Sequence, residues 1–216
     1  MSRKPERGAA GFGVTLYDLK PAFQSLLRPR VARLAAAGVT ANQVTLGAAA
    51  GSAAIGAAVW ALWPARWPFL MIAAWLLIRM ALNAVDGMLA REHGQKSRLG
   101  AYLNEVGDVV SDAALYAPFA LLPSFGPLWT GIVVLLAVLT EFAGVLGPAT
   151  GASRRYDGPM GKSDRALVFG ALALWIGFGG PMPGWSAWIM AAMAAALALT
   201  AVNRIRAGLR ESEAAS

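Results

Sequence analysis

Oxygen-bearing side chains recur at helical spacing inside two consecutive apolar runs of this 216-residue chain: Asn83 and Asp86 in the first, then Asn104, Asp108 and Asp112 in the second. Carboxylate and amide oxygens are hard donors. A set of them without sulfur suits magnesium or manganese, ions whose coordination is usually completed by substrate phosphates. The expected chemistry is therefore metal-assisted reaction at a phosphorylated substrate. A charge near the centre of a membrane span costs about 2.5 to 3.5 kcal/mol, while each Leu, Ile or Val returns only about 0.3 to 0.6 kcal/mol. Such residues face a cavity and not lipid.

The elements that must position them are helices. At 3.6 residues per turn, Arg79, Asn83, Asp86 and Ala90 share one face. Gly100, Asn104, Asp108 and Asp112 repeat every fourth residue. The short segment from Glu92 to Ser97 makes the two runs antiparallel neighbours, so their polar faces meet. Interhelical hydrogen bonding is the plainer explanation for a lone Asn or Asp in a membrane. It does not account for two carboxylates, two amides, an Arg and two glycines in register.

Composition places these helices in a bilayer. Hydrophobic residues make up 57% and charged residues 14% of the chain, and the mean hydropathy is +0.52. The predicted fold is an all-α integral membrane protein with six transmembrane helices, drawn near 40–62, 67–91, 98–121, 127–149, 163–179 and 184–205. The runs are too long and too uniformly apolar for barrel strands. Phe23, Leu26, Leu27, Val31 and Leu34 oppose Arg28, Arg30 and Arg33, which predicts an interfacial amphipathic helix ahead of the first span, bent or interrupted at Pro29. Residues 1–20 are expected to be a flexible basic tail, and 21–216 a single transmembrane domain. No cysteine is present, so disulfide and thiol chemistry are excluded.

Of 19 Lys and Arg, all but Arg66 and Arg79 fall at the tail, the second-to-third and fourth-to-fifth connections, or the C-terminal end. The positive-inside rule then puts both termini in the cytoplasm. Trp60, Trp63, Trp67, Trp129, Trp185 and Trp188 gather at the opposite helix ends as an interfacial belt. The net charge of +7 is explained by topology and by attraction to anionic membrane lipid, and no nucleic-acid partner is expected.

The run Asp86-Gly87-x-x-Ala90-Arg91, eight residues, Gly100 and Asp108 resembles the signature of the CDP-alcohol phosphotransferase (CDP-alcohol phosphatidyltransferase) family. A polar opening to the first span, Thr40-Ala-Asn42-Gln-Val-Thr45, and a basic opening to the fifth, Gly161-Lys162-Ser163-Asp164-Arg165, extend the likeness along the chain. The resemblance implies transfer of a phosphatidyl or phosphoalcohol group from a CDP-linked donor to a hydroxyl acceptor, with release of CMP. It implies one or two Mg2+ or Mn2+ ions, a location in the cytoplasmic (inner) membrane, and a homodimer. Carried onto this chain, Asp86 is a metal ligand and Asp108 both a ligand and the base that deprotonates the acceptor. Gly87, Ala90, Arg91 and Gly100 would bind the donor nucleotide. Lys162, Arg165 and Arg154 are candidates for an acceptor phosphate, their alternative role being loop charge that fixes topology.

Two positions depart from the family pattern. Asn83 and Asn104 stand where the signature has aspartates, so they offer neutral amide oxygens and complete the metal set of Asp86, Asp108, Asn83 and Asn104 only in part. Metal affinity should fall unless a carboxylate from Glu105 or Asp112, or the donor's own phosphates, makes up the coordination. The leading expectation is a phospholipid-synthesising transferase using CDP-diacylglycerol and a small, optionally phosphorylated, alcohol. The alternatives are CDP-alcohol transfer to diacylglycerol, and a non-catalytic lipid- or nucleotide-binding membrane protein. Glu141 and Asn203 are expected to line the same cavity or to pair with Arg79, His93 to be solvated, and Gly47-x-x-x-Gly51 and Gly144-x-x-Gly147 to mark close helix packing.

Overall fold

The computed structural model describes residues 16–215, with side chains from Phe23 to Ala214, so most of the expected tail over 1–20 lies outside the described residues. Seven helices carry the fold: α1 (Leu16–Ala36), α2 (Ala41–Ala61), α3 (Phe69–Glu92), α4 (Arg98–Tyr116), α5 (Gly126–Leu146), α6 (Lys162–Gly177) and α7 (Ala187–Ala215). Short 3-10 turns at Ala117–Leu121, Gly147–Thr150 and Gly184–Ser186 fill the connections. The chain divides into two compact units, one ending at Val39 and the other beginning at Thr40.

The first unit consists of α1 and its stop. The helix runs through Pro29 without a break, contrary to the expected interruption. It ends where Gly38 turns left-handed at φ 79°, with the Val39 N–H reaching back to the Leu34 carbonyl at 3.0 Å. Leu26 and Phe23 are open to the surroundings along it.

The second unit holds α2 to α7. Four of its segments, Ala41–Ala61, Phe69–Glu92, Gly126–Thr150 and Gly184–Ala214, are long and apolar enough to cross a membrane. Two helices fall short of that standard for definite reasons. α4 carries Arg98, Glu105, Asp108 and Asp112 in 19 residues, and α6 has only 16, about 24 Å of rise against a hydrocarbon core of about 30 Å. α7 continues past the expected end at 205 to Ala215, because its last turns are built of helix formers that tolerate water.

Caps fix where the site-bearing helices begin. Thr40 accepts from the Gln43 N–H while the Gln43 side chain accepts from the Thr40 N–H, a capping box that starts α2. The next N–H, of Ala41, donates to Gln95 Oε1 at 2.7 Å, tying α2 to the α3–α4 connection. Ser97 caps α4 by accepting from the Gly100 N–H, and Asp164 accepts from the Gly161 N–H at the start of α6.

α2 packs on α3 and α4, α3 on α6, and α5 on α7 and α4. Small residues set these distances. A Cβ at Gly56 would lie 2.1 Å from the Ala114 carbonyl oxygen, so α2 and α4 touch backbone to backbone there. Gly51 receives the Trp75 ring, whereas nothing lies within 4 Å of a Cβ at Gly47. Gly147 makes room for the chain at Ser153–Arg154, and Gly144 both for the Arg155 carbonyl and for the Arg204 guanidinium of α7. At the far end of α3 and α4 the core is aromatic, with Tyr116 stacked on Phe169 at 3.9 Å and Phe119 edge-on to both Phe69 and Phe169. The polar faces occupy the other end.

Candidate functional site

Helix α3 ends in its last two turns with Asp86, only 6% exposed. A buried carboxylate needs donors, and Thr45 of α2 supplies one: its hydroxyl donates to Asp86 Oδ2 at 2.8 Å and also lies 3.0 Å from the Ala41 carbonyl. Gly107 of α4 lies alongside, since a Cβ there would be in ordinary contact with the Thr45 methyl at 3.5 Å.

Across from it, Asp108 of α4 is held through one oxygen by two cations. Oδ1 faces the Lys162 ammonium of α6 and accepts from Arg79 Nη2 at 3.2 Å, while the same Nη2 donates to the Asp108 backbone carbonyl at 3.0 Å. Asp86 lies within the electrostatic reach of both Asp108 and Lys162. Each carboxylate is thus held by a neighbouring helix, Asp86 by Thr45 of α2 and Asp108 by Lys162 of α6 and Arg79 of α3.

Asn83 and Asn104 are half-buried on the same helices. At Gly100 an added Cβ would come within 2.8 Å of Asn42 Oδ1, which brings the polar opening of α2 against the start of α4. At Gly87 it would meet the Arg91 guanidinium at 2.9 Å, so that flexible cation folds over the glycine from the surface. Ala90 sits half-buried between them.

Among the described residues no three carboxylate, His or Cys side chains converge as a metal-holding group. The set expected from sequence is two carboxylates, Asp86 and Asp108, with the amide oxygens of Asn83 and Asn104 on the adjoining turns of the same helices. That set fits one hard divalent cation whose other ligands are water or phosphate oxygens. It is too poor in charge to hold two by itself.

From Arg79 onward runs a buried ionic chain. Arg79 Nη1 pairs with Asp112 Oδ1, and Asp112 Oδ2 accepts from Arg165 Nη2 at 2.9 Å and Nε at 3.2 Å. Arg165 goes on to Thr140 Oγ1 at 3.2 Å and Glu141 Oε1 at 2.9 Å. Arg204 closes the chain, from the Thr140 carbonyl to Glu141 Oε2 at 3.5 Å. Helices α3, α4, α6, α5 and α7 are joined by it in that order.

Several expectations change on this geometry. Glu141 pairs with Arg165 and Arg204, not with Arg79, whose partners Asp108 and Asp112 come from α4. Asn203 lines a separate pocket with Asp157, Arg206, Ala207 and Arg210. Arg165 is 1% exposed, and each of its three nitrogens donates to a protein oxygen, so it is turned away from any acceptor. Glu105 pairs with Arg154 and Asp112 with two arginines, so neither carboxylate is spare for a metal. Lys162 and Arg154 remain partly exposed, Arg154 with its guanidinium 5.1 Å from the Tyr156 ring.

The α5–α6 connection is bound to α7. Gly158, at φ 122°, lets the backbone pass so close that a Cβ would lie 2.6 Å from Thr200 Cα, and the Met160 N–H donates to Thr200 Oγ1 at 3.0 Å. Arg155 grips Asp157 and Glu211, and its guanidinium holds the Asp157 carboxyl below the usual carboxylate range. Sequence reasoning missed Thr45 as a partner of Asp86 and the role of Asp112. The signals were there: Thr45 is a hydroxyl one turn into an apolar helix, and Asp112 extends the fourfold repeat by one step.

The family model for CDP-alcohol phosphatidyltransferases matches residues 38–202. The chain is 47% identical over 201 residues to the inner membrane protein YnbA of Escherichia coli (strain K12), covering 91% of this chain and 97% of that protein. It is 30% identical over 177 residues to the phosphatidylinositol phosphate synthase of Mycobacteroides abscessus, 78% of each. Among solved structures it resembles the Mycobacterium tuberculosis phosphatidylinositol phosphate synthase with CDP-DAG bound, at TM-score 0.65 and 22% identity, over 83% of this chain and 92% of that one. The same enzyme in complex with manganese and citrate gives TM-score 0.65 at 21% identity, over 84% and 88%. At these identities the structural likeness is one of fold.

Proposed function

Since this chain belongs to the CDP-alcohol phosphatidyltransferase family, we propose that it transfers the phosphatidyl group of CDP-diacylglycerol to a small phosphorylated alcohol, releasing CMP. The family is one of membrane transferases in phospholipid biosynthesis, and the chain is such an enzyme. The observation that carries the more specific reading is Asp108 of α4 held by the Lys162 ammonium and by Arg79, with a second carboxylate, the buried Asp86, near the end of α3.

In the reaction, the acceptor hydroxyl oxygen attacks the phosphorus that bears the diacylglycerol. The bond from that phosphorus to the bridging oxygen of the pyrophosphate breaks, and CMP leaves. Asp108, with Oδ1 fixed by Arg79 and Lys162, takes the hydroxyl proton on the carboxylate. Gly100 and Gly87 let the cytidine nucleotide approach the backbone, Ala90 keeps the wall low, and Arg91 pairs with donor phosphate. Asp86, Asn83, Asn104 and Asp108 would hold one divalent ion, Mg2+ or Mn2+, which when bound neutralises charge on the donor pyrophosphate. The manganese in the Mycobacterium tuberculosis structure is consistent with an ion of this kind.

For the acceptor, the partly exposed cations are Lys162, paired with Asp108, and Arg154, paired with Glu105. Two such cations favour an acceptor that carries its own phosphate. The phosphatidylinositol phosphate synthases among the relatives support that class. The location follows from the Escherichia coli inner membrane relative. We read six passes with both termini cytoplasmic, α4 and α6 crossing beside the more apolar helices with Val106, Val110, Leu167 and Leu174 outward, and α1 lying in the headgroup layer.

Purified protein in lipid nanodiscs, given CDP-diacylglycerol, Mg2+ or Mn2+ and a panel of acceptors, tests this. CMP release that requires a phosphorylated alcohol is expected, and Asp108→Asn should abolish it. No release with any acceptor would overturn the reading. Release only from a soluble CDP-alcohol with diacylglycerol would reverse the roles of donor and acceptor.

A further inference from the structure

We propose that Arg79, locked in place by Asp112 and Arg165, is a positioning residue that sets the orientation of the Asp108 carboxylate. This rests on the reading of Asp108 as the proton acceptor. One guanidinium nitrogen, Nη2, donates to both the Asp108 carboxylate at 3.2 Å and the Asp108 backbone carbonyl at 3.0 Å. Two bonds from one nitrogen to one residue fix the side-chain torsion as well as its place. Oδ1 is thereby held toward Arg79 and Lys162, which leaves Oδ2 as the oxygen that can take the acceptor proton.

Arg79 cannot swing to another rotamer, because Nη1 is bound to Asp112 Oδ1, and Asp112 Oδ2 is bound twice by Arg165. The side chains of Arg79, Asp112 and Arg165 are 3%, 7% and 1% exposed. In so dry a setting charged hydrogen bonds are strong and directional, and an unpaired member is costly. Gluing the bundle together needs only the pairs with Asp112. The additional reach of Nη2 to both ends of Asp108 has no such use, and it meets the residue assigned the proton transfer.

The test separates alignment from stability. Arg79→Lys keeps the buried positive charge but loses the planar fork, and an ammonium cannot span Asp108 and Asp112 together. With the full chain in nanodiscs, kcat for CMP release should fall by about tenfold or more while KM for CDP-diacylglycerol stays within about twofold. Asp112→Asn, which keeps the shape but loosens Arg79, should lower kcat in the same way. The double variant should fall no further than Arg79→Lys alone.

Unchanged kcat in either folded variant overturns the proposal, as does a double variant whose losses multiply. Failure of both variants to fold would assign the cluster to assembly alone and overturn it too. A wild type that releases no CMP, by contrast, fails the functional reading itself.

Discussion

Thr45 and Asp86 join α2 to α3 by a single hydrogen bond of 2.8 Å, from a hydroxyl one turn into one helix to a buried carboxylate near the end of the other. The donor fixes which Asp86 oxygen is spoken for, Oδ2, and which is left to a ligand. Outer partners of metal-binding carboxylates commonly contribute about 10- to 100-fold in affinity.

Thr45→Val removes that donor without changing the side-chain shape. Mn2+ binding measured by electron paramagnetic resonance titration should weaken about tenfold, and Thr45→Ser should recover most of the loss. Equal Mn2+ affinity in Thr45→Val would show that the hydroxyl does not orient Asp86.

Asn83→Asp and Asn104→Asp each add a carboxylate to a site that has two. Each should lower the metal concentration needed for half-maximal binding in the absence of nucleotide by about tenfold or more, as expected for charge on a hard cation. Isothermal titration of the metal alone reads this directly. A weaker or unchanged affinity would mean that the two amides lie outside the coordination sphere.

Lys162 and Arg165 open the same helix but should respond differently. Arg165→Met leaves the buried Asp112 with Arg79 alone and takes one of the partners of Glu141, and should cost about 3 kcal/mol of stability, seen as lost yield and a lower Tm. Lys162→Met, at a half-exposed position, should fold and instead raise KM for the phosphorylated acceptor. A Lys162→Met protein with unaltered acceptor KM would remove Lys162 from that role.

Gly56→Ala drives a methyl group against the Ala114 carbonyl oxygen, a backbone atom that cannot step aside. About 1 to 3 kcal/mol of destabilisation is expected, measured as a drop in Tm in detergent. Gly47→Ala, one pitch of small residues earlier on the same helix, meets nothing within 4 Å and should be neutral or stabilising by about 1 kcal/mol. A reversed order for the two would place the α2–α4 contact elsewhere.

Much of this was legible before any coordinates. The helices follow the apolar runs, and the Asn83–Asp86 and Asn104–Asp108 spacings put each run's polar groups on one helix, but α3 and α4 both pack on α2 rather than closely on each other, which the short Glu92–Ser97 connection alone does not reveal. What resisted reading is what depends on which helices adjoin. Glu141 has no local sign of its partners, since Arg165 and Arg204 come from α6 and α7. Gly144 and Gly147 look like a helix-packing stripe, yet a passing loop, joined at Gly144 by the Arg204 guanidinium, fills the space they leave. Arg165 reads as loop charge because hydropathy alone does not distinguish a cation at a helix start from one a turn inside it. Pro29 fails to break α1 because a missing N–H matters less where a helix side can be open to solvent.

The bond from the Ala41 N–H to Gln95 Oε1 anchors the tip of the α3–α4 hairpin to the head of α2, and Thr45 to Asp86 repeats the anchor one turn deeper. Three rods are thus stapled at two heights on one flank of Asp108, while on the other a single flexible side chain, the stem of Lys162, spans from α6 to the same carboxylate.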